Sequence, residues 1–232
     1  MITFPYQVIR RPRRKTAAIT VKHDNTVTVV VPACLSENQI VELVVQKKSW
    51  IQKKLYFNDH FRTHQKLNEY ISGEFFSYLG EKYCLEVLRG NAELVSINRG
   101  KLIVHVCDTT PAEKTQNAVY QQLLHWYQDQ ARQYLLEKTR HYEQTLGFQP
   151  AHIGVKTYKR RWGSCSSRGV VNFNWKIIMA PPAVIDYLII HELCHLQHLN
   201  HSKTYWNLVE KILPDYREHK NWLKVYGFSL EL

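Results

Sequence analysis

The sequence predicts an α+β protein in two parts: a basic, β-rich N-terminal domain over residues 1–108, and a domain over residues 109–232 in which long helices lead into a histidine cluster. Three observations give that division. The first hundred residues alternate apolar and polar side chains in short runs broken by Gly73, Gly80, Gly90 and Gly100, a period-two strand signature. Beyond Thr110-Pro111 the apolar spacing lengthens to three and four residues, the period of a helix. Finally, "HELCHLQHLNH", His191 to His201, gathers four histidines and a glutamate behind an apolar helical run.

Taken in order, "AAITVKHDNTVTVVVP" is two strand-like runs around Asp24-Asn25, a hairpin signal. Ser36 and Gln39 have capping-box spacing and open a helix. Its Ile40, Leu43, Val44, Ile51 and Leu55 keep helical spacing, with Lys47, Lys48, Lys53 and Lys54 lining the rest. "EYISGEFFSYLGEKYCLEVLRG" and "GKLIVHV" resume the strand pattern. Thr110 is the expected cap of the long helix, with Pro111 in its first turn and Glu113 completing a second capping box. Val119, Leu123, Trp126, Tyr127, Tyr134 and Leu135 form its apolar stripe, and Gly147 is placed to end it. "AHIGVKTY" and "GVVNFNW" follow as strands. Pro181-Pro182 then starts a helix that runs through Val184, Ile185, Leu188 and Ile189 into the histidines. Ser202 caps a further helix to about Leu213, which Pro214 ends.

Composition bounds the partners. The apolar fraction of 44% is ordinary for a globular protein, and no apolar run approaches the roughly 20 residues that span a bilayer. The N-terminus lacks the charge, apolar stretch and cleavage-site order of a signal peptide. Five scattered cysteines, Cys34, Cys84, Cys107, Cys165 and Cys194, fit reduced thiols in a cytoplasmic protein. Cys165 and Cys194 read as small buried hydrophobes rather than nucleophiles. The net charge of +11 attracts polyanions. Its densest runs are Arg10, Arg11, Arg13, Arg14 and Lys15, then Lys159, Arg160 and Arg161. These are either a solvated face or a phosphate or nucleic-acid site, and Arg10 to Lys15 with Lys47 to Lys54 are expected to let the basic N-terminal half hold an anionic partner or substrate.

The histidines carry the chemistry. His191 and His195, four apart on a helix, present both rings on one face, and Glu192 sits beside that face within reach of a metal-bound water. This H-E-x-x-H spacing supplies two zinc ligands and a general base. The apolar run before it buries the helix, and burying these polar groups without a metal would leave them uncompensated. For the third ligand, His198 would stand about 10.5 Å along a straight helix from His191 and His201 about 15 Å. His201 reaches the site if the helix stops, and Leu199-Asn200 is suited to stop it, since Asn tolerates the left-handed conformation. His201 is therefore favoured as ligand and His198 for a packing or supporting role.

"HELCHLQHLNHSKTYW" together with "RWGSCSSRGVVNFNW" resembles the YgjP-like metallopeptidase family, relatives of the SprT-like zinc proteases. The resemblance continues through the N-terminal hairpin, "VVVPACLSENQIVELVVQKKSWIQKKL" and "YLGEKYCLEV". It implies a zincin-like domain, Zn2+ on His191, His195 and His201, and Glu192 as catalytic base. His198 stands where many zincins carry glycine. Such proteins pair an extended peptide with an edge strand beside the metal, so "RWGSCSSRGVVNFNW" is read either as that strand or as an ordinary internal hairpin. Arg161, Trp162, Ser164, Asn172 and Asn174 are its candidate substrate-binding residues. Three functions compete: a zinc metallopeptidase acting on a peptide substrate; a metal-dependent pyrophosphatase of nucleoside triphosphates such as UTP, favoured by the basic charge; and a non-catalytic nucleic-acid or protein-binding module with structural zinc.

Overall fold

The computed structural model describes residues 4–22, 24–59, 68–91 and 94–232, and the chain divides into two compact units, Met1–Lys66 and Leu67–Leu232. The expected boundary near residue 108 therefore moves some forty residues toward the N-terminus. The reason is packing. Phe76, Leu85, Leu102, Val104 and Val106, which alternation assigned to the N-terminal domain, share one core with Val119, Leu123, Tyr127 and Ile185. Hydrogen bonds tie the same layers: the Tyr127 hydroxyl donates to the Ser77 carbonyl at 2.8 Å, and that of Tyr78 to the Gln130 side chain at 3.0 Å.

In the first unit, β1 (Gln7–Arg11), β2 (Ala18–Val21) and β3 (Val27–Pro32) form a sheet of order β1-β3-β2. β2 and β3 are the expected hairpin, with Asn25 at φ 62° and the Asp24 carboxylate accepting the Thr26 N–H at 3.0 Å. β1 pairs parallel to β3. Arg10 is used inside the unit: its guanidinium donates to the carbonyls of Ala33 and Leu35 and pairs with Glu37 at 2.6 Å. The Ser36 capping box forms in both directions, Ser36 Oγ accepting from the Gln39 N–H and Gln39 Oε1 from the Ser36 N–H. The one helix expected from it is two, α1 (Glu37–Gln46) and α2 (Lys48–Phe57), parted at Lys47. Ile40, Val44 and Ile51 keep their shared face and meet Val27, Val29 and Val31 of β3 in a small core.

The second unit opens with β4 (Phe75–Tyr78), β5 (Glu81–Gly90), β6 (Leu94–Asn98) and β7 (Lys101–Cys107), in the order β4-β5-β7-β6. The helix α3 (Thr115–Leu146) covers it and ends at Gly147 in the left-handed conformation, as expected. Its start differs. A 3₁₀ turn, Ala112–Lys114, intervenes, the Thr110 N–H goes back to Cys107, and the Thr115 hydroxyl takes the Pro111 carbonyl, so no capping box forms at Thr110. A second sheet of order β8-β10-β9 holds β8 (His152–Lys156), β9 (Gly163–Cys165) and β10 (Val170–Asn174). Then come α4 (Pro182–Cys194), α5 (Lys203–Ile212) and α6 (Tyr216–Tyr226). Pro182 begins α4, and the Ser202 side chain caps α5 by accepting the Tyr205 N–H. α4 is buried on every side by Val184, Ile185, Leu188, Ile189, Ile190 and Leu193, the pattern of a central helix. Among the described residues no helix is long and apolar enough to cross a membrane.

Candidate active site

α4 stops sooner than its sequence suggests. The last helical residue is Cys194, and the chain tightens immediately, with the N–H groups of Gln197 and His198 both turning to the Cys194 carbonyl at 3.2 and 3.1 Å. Leu199-Asn200 thus lie beyond the helix end, and the short link to Ser202 carries His201 back over α4. The Nε2 atom of His201 stands 3.2 Å from that of His195 and 3.3 Å from that of His191. Two ligands about 2.0–2.1 Å from a tetrahedral centre lie about 3.3 Å apart, so the three nitrogens have the spacing of one metal's ligands. No other group of three such side chains gathers among the described residues.

Two of the three rings are fixed from behind. The Nδ1 of His195 faces the His198 carbonyl at 3.0 Å, and a carbonyl can only accept, so Nδ1 carries the proton and Nε2 keeps its lone pair. Behind His191, the Tyr205 hydroxyl lies 2.7 Å from Nδ1 and 2.9 Å from the His191 carbonyl. A hydroxyl that donates to the carbonyl accepts from Nδ1–H, again freeing Nε2 for a metal. Electrostatics agrees. Burial, reinforced by His195, His201 and Lys220, pushes His191 down to about 3. His201 is lowered by burial, then by His195 and Lys220. Both rings are neutral at neutral pH, the form that binds a cation.

Glu192 is 5% exposed, and burial pushes it up to about 8 against the opposing pull of Arg161. A cation held by the histidines would act in the same direction as Arg161. β9 runs beside this carboxylate, and only glycine fits there: a Cβ on Gly163 would stand 2.5 Å from Glu192 Oε1. Burial and then Glu192 raise Cys165 to about 11, and burial raises Cys194 to about 12, so neither is a thiolate at neutral pH.

The sequence-predicted substrate residues separate into two groups. β10 is the centre of its sheet and not an edge, which buries Asn172 and Asn174. Asn174 spends its amide on the carbonyls of Tyr158 and Arg161 and caps the turn at Lys176. Asn172 packs over Gly154, whose missing side chain makes room for its amide. Trp162 is half-buried against Gly227. Asn172 and Asn174 are thus buried within the sheet, and Trp162 packs on Gly227 while keeping part of its ring exposed. Arg161 is exposed and near Glu192, and Ser164 shares a hydrogen bond with Tyr158 at 2.9 Å on β9. The outer strands are β8 and β9, and the one beside Glu192 is β9, which the sequence presents as part of a turn.

Sequence reading also missed the aromatic wall. Tyr205 stacks on His195 at 4.6 Å, Trp206 on His201 at 5.3 Å, and Tyr216 on Trp206 at 5.3 Å. Lys220 of α6 lies over the Trp206 ring at 3.7 Å. The signal for two of them was available: Tyr205 and Trp206 begin the capped helix directly after His201.

The family description "YgjP-like, metallopeptidase domain" matches residues 15–226. Among solved structures, the chain is similar to the crystal structure of the metallopeptidase zymogen of Pyrococcus abyssi abylysin, at 24% identity and a TM-score of 0.35, covering 38% of this chain and 89% of that one. Among curated proteins none matches.

Proposed function

The chain belongs to the YgjP-like metallopeptidase family, and from that premise we propose that it is a zinc-dependent hydrolase of peptide bonds, with His191, His195 and His201 as zinc ligands and Glu192 as general base. The observation that carries this reading is the convergence of three Nε2 atoms at 3.2 and 3.3 Å one residue away from a buried glutamate. Zinc bound there would act as a Lewis acid and bring the pKa of a bound water to about 7. Glu192 takes a proton at a carboxylate oxygen and passes it to the departing amine. His198, through its carbonyl, and Tyr205, through its hydroxyl, hold two ligand rings in the productive tautomer. β9, which in the described residues pairs only with β10, offers its outer edge to an extended peptide, recognised through the main chain. Gly163 keeps that edge close to Glu192.

Arg161 supports a second reading, since an exposed guanidinium close to Glu192 suits a phosphate of a nucleoside triphosphate. One panel separates the two: zinc-loaded protein with casein, short peptides and nucleoside triphosphates, beside Glu192→Gln. Peptide cleavage that falls by about 10²–10⁴-fold in a variant that keeps its zinc is the expected result. Cleavage of triphosphates alone would transfer the site to the second reading, and full turnover by Glu192→Gln would remove this residue from either mechanism.

A further inference from the structure

The first unit carries a cleft that the zinc chemistry does not use. It has a volume of about 330 Å³ and is lined by Ala17, Ala18 and Ile19 on the side of β2 and by Leu43, Lys47 and Trp50 on the side of the helices. Three features of it point one way. β2 is the outer strand of the order β1-β3-β2 and in the described residues pairs only with β3, so its free edge presents unmatched main-chain N–H and C=O groups. The lining is small on the strand side and bulky on the helix side, leaving space for the side chains of a guest strand between Ala17-Ala18 and the Trp50 ring, which is 42% exposed. The unit that holds it is basic by composition: residues 1–66 hold twelve Lys and Arg against four Asp and Glu, and Lys47 brings one of those cations into the cleft itself.

We propose that this cleft binds an extended polypeptide segment that adds to the free edge of β2, seats an apolar side chain against Leu43 and Trp50, and sets a neighbouring carboxylate on Lys47. Main-chain pairing supplies affinity without demanding a sequence, the apolar wall supplies the anchor, and the lysine with the surrounding field selects acidic neighbours. A nucleic acid fits less well. Five of the six lining residues are uncharged and apolar, and a strand edge recognises amides, not phosphodiesters. The proposal does not depend on peptide cleavage at the histidines.

The test uses the full chain, zinc-loaded and carrying Glu192→Gln so that no probe is consumed. The probe is a fluorescein-labelled peptide of alternating threonine and valine with two glutamates at each end, followed by anisotropy. Saturable binding is expected. It should weaken about tenfold or more in Lys47→Glu and in Trp50→Ala, the scale of one lost charge-assisted or anchoring contact. The same loss is expected when alternate backbone amides of the peptide are N-methylated, an arm that reports main-chain pairing, while the Lys47 and Trp50 substitutions assign that pairing to β2 and not to β9. Replacing the peptide's glutamates by glutamine should weaken binding and flatten its salt dependence. No saturable binding overturns the proposal, as does binding that ignores both substitutions, which with sensitivity to N-methylation would place the peptide on β9 instead. An oligothymidylate that displaces the peptide and loses affinity in Trp50→Ala would assign the cleft to nucleic acid instead.

Discussion

The two units divide charge from chemistry. Residues 1–66 carry twelve Lys and Arg against four Asp and Glu, whereas residues 67–232 carry nineteen against sixteen and hold every candidate ligand. Their interiors differ as sharply. Among the described residues the first core is six aliphatic side chains on one strand and two helices, and the second joins two sheets and α3 to α6. The lesson concerns what a site requires. Three imidazoles beside a buried carboxylate are held in place by surrounding groups, and the larger unit supplies the Tyr205 hydroxyl and the His198 carbonyl behind two of the ligands. Among its described residues the small unit has an open strand edge, and its composition is basic, which are means of attracting and holding a chain.

If the comparison is right, damage to one core should spare the other. Ile51→Ala empties a fully buried position in the small core and should cost the first unit about 2–5 kcal/mol. Thermal unfolding should then show an early transition confined to that unit, with zinc retained through it. A single transition that releases zinc together with the first unit would deny that the cores are separate.

Within the second unit, Gly163→Ala places a methyl where Glu192 Oε1 stands 2.5 Å away. A displacement of about 1 Å in a reacting group costs on the order of 10²-fold in rate, so turnover should fall by about that much while metal content is unchanged. Unaltered turnover would mean that β9 and Glu192 are not held in the contact described. Tyr205→Phe is milder. The ring remains in its stack on His195, and only the hydroxyl behind His191 goes, so zinc affinity should fall about 10–100-fold with the fold intact. Competition against a chromogenic chelator measures it, and an unchanged affinity would remove Tyr205 from the ligand support.

These expectations draw on residues that the sequence reveals unevenly. Most local signals survived folding: the Ser36 box, Gly147, Pro182 and Ser202 all act where their own few neighbours determine the outcome, whereas the Thr110 box gave way to a 3₁₀ turn. What depended on distant partners was hidden. β1 ends in Arg10 and Arg11 at the head of the basic run and is made into a strand by parallel pairing with β3. β9 has three residues and exists because β10 pairs with it. The boundary at residue 108 followed a change of period, but strands of period two were recruited to the core of α3. Asn172 and Asn174 alternate with apolar neighbours as an exposed edge would, yet a central strand buries both of its faces. His198 illustrates the limit best. Its role, expected to be a supporting one, is filled by a backbone carbonyl, which any residue carries, so its side chain gave no clue to how.

That last distinction yields the most direct test of the site. Zinc content by elemental analysis, on purified protein and on His198→Ala and His201→Ala, compares a residue that contributes a carbonyl with one that contributes Nε2. One zinc per chain in the parent, nearly all of it kept in His198→Ala and most of it lost in His201→Ala, is the predicted result. Zinc lost from His198→Ala and kept in His201→Ala would contradict the ligand set and the mechanism built on it.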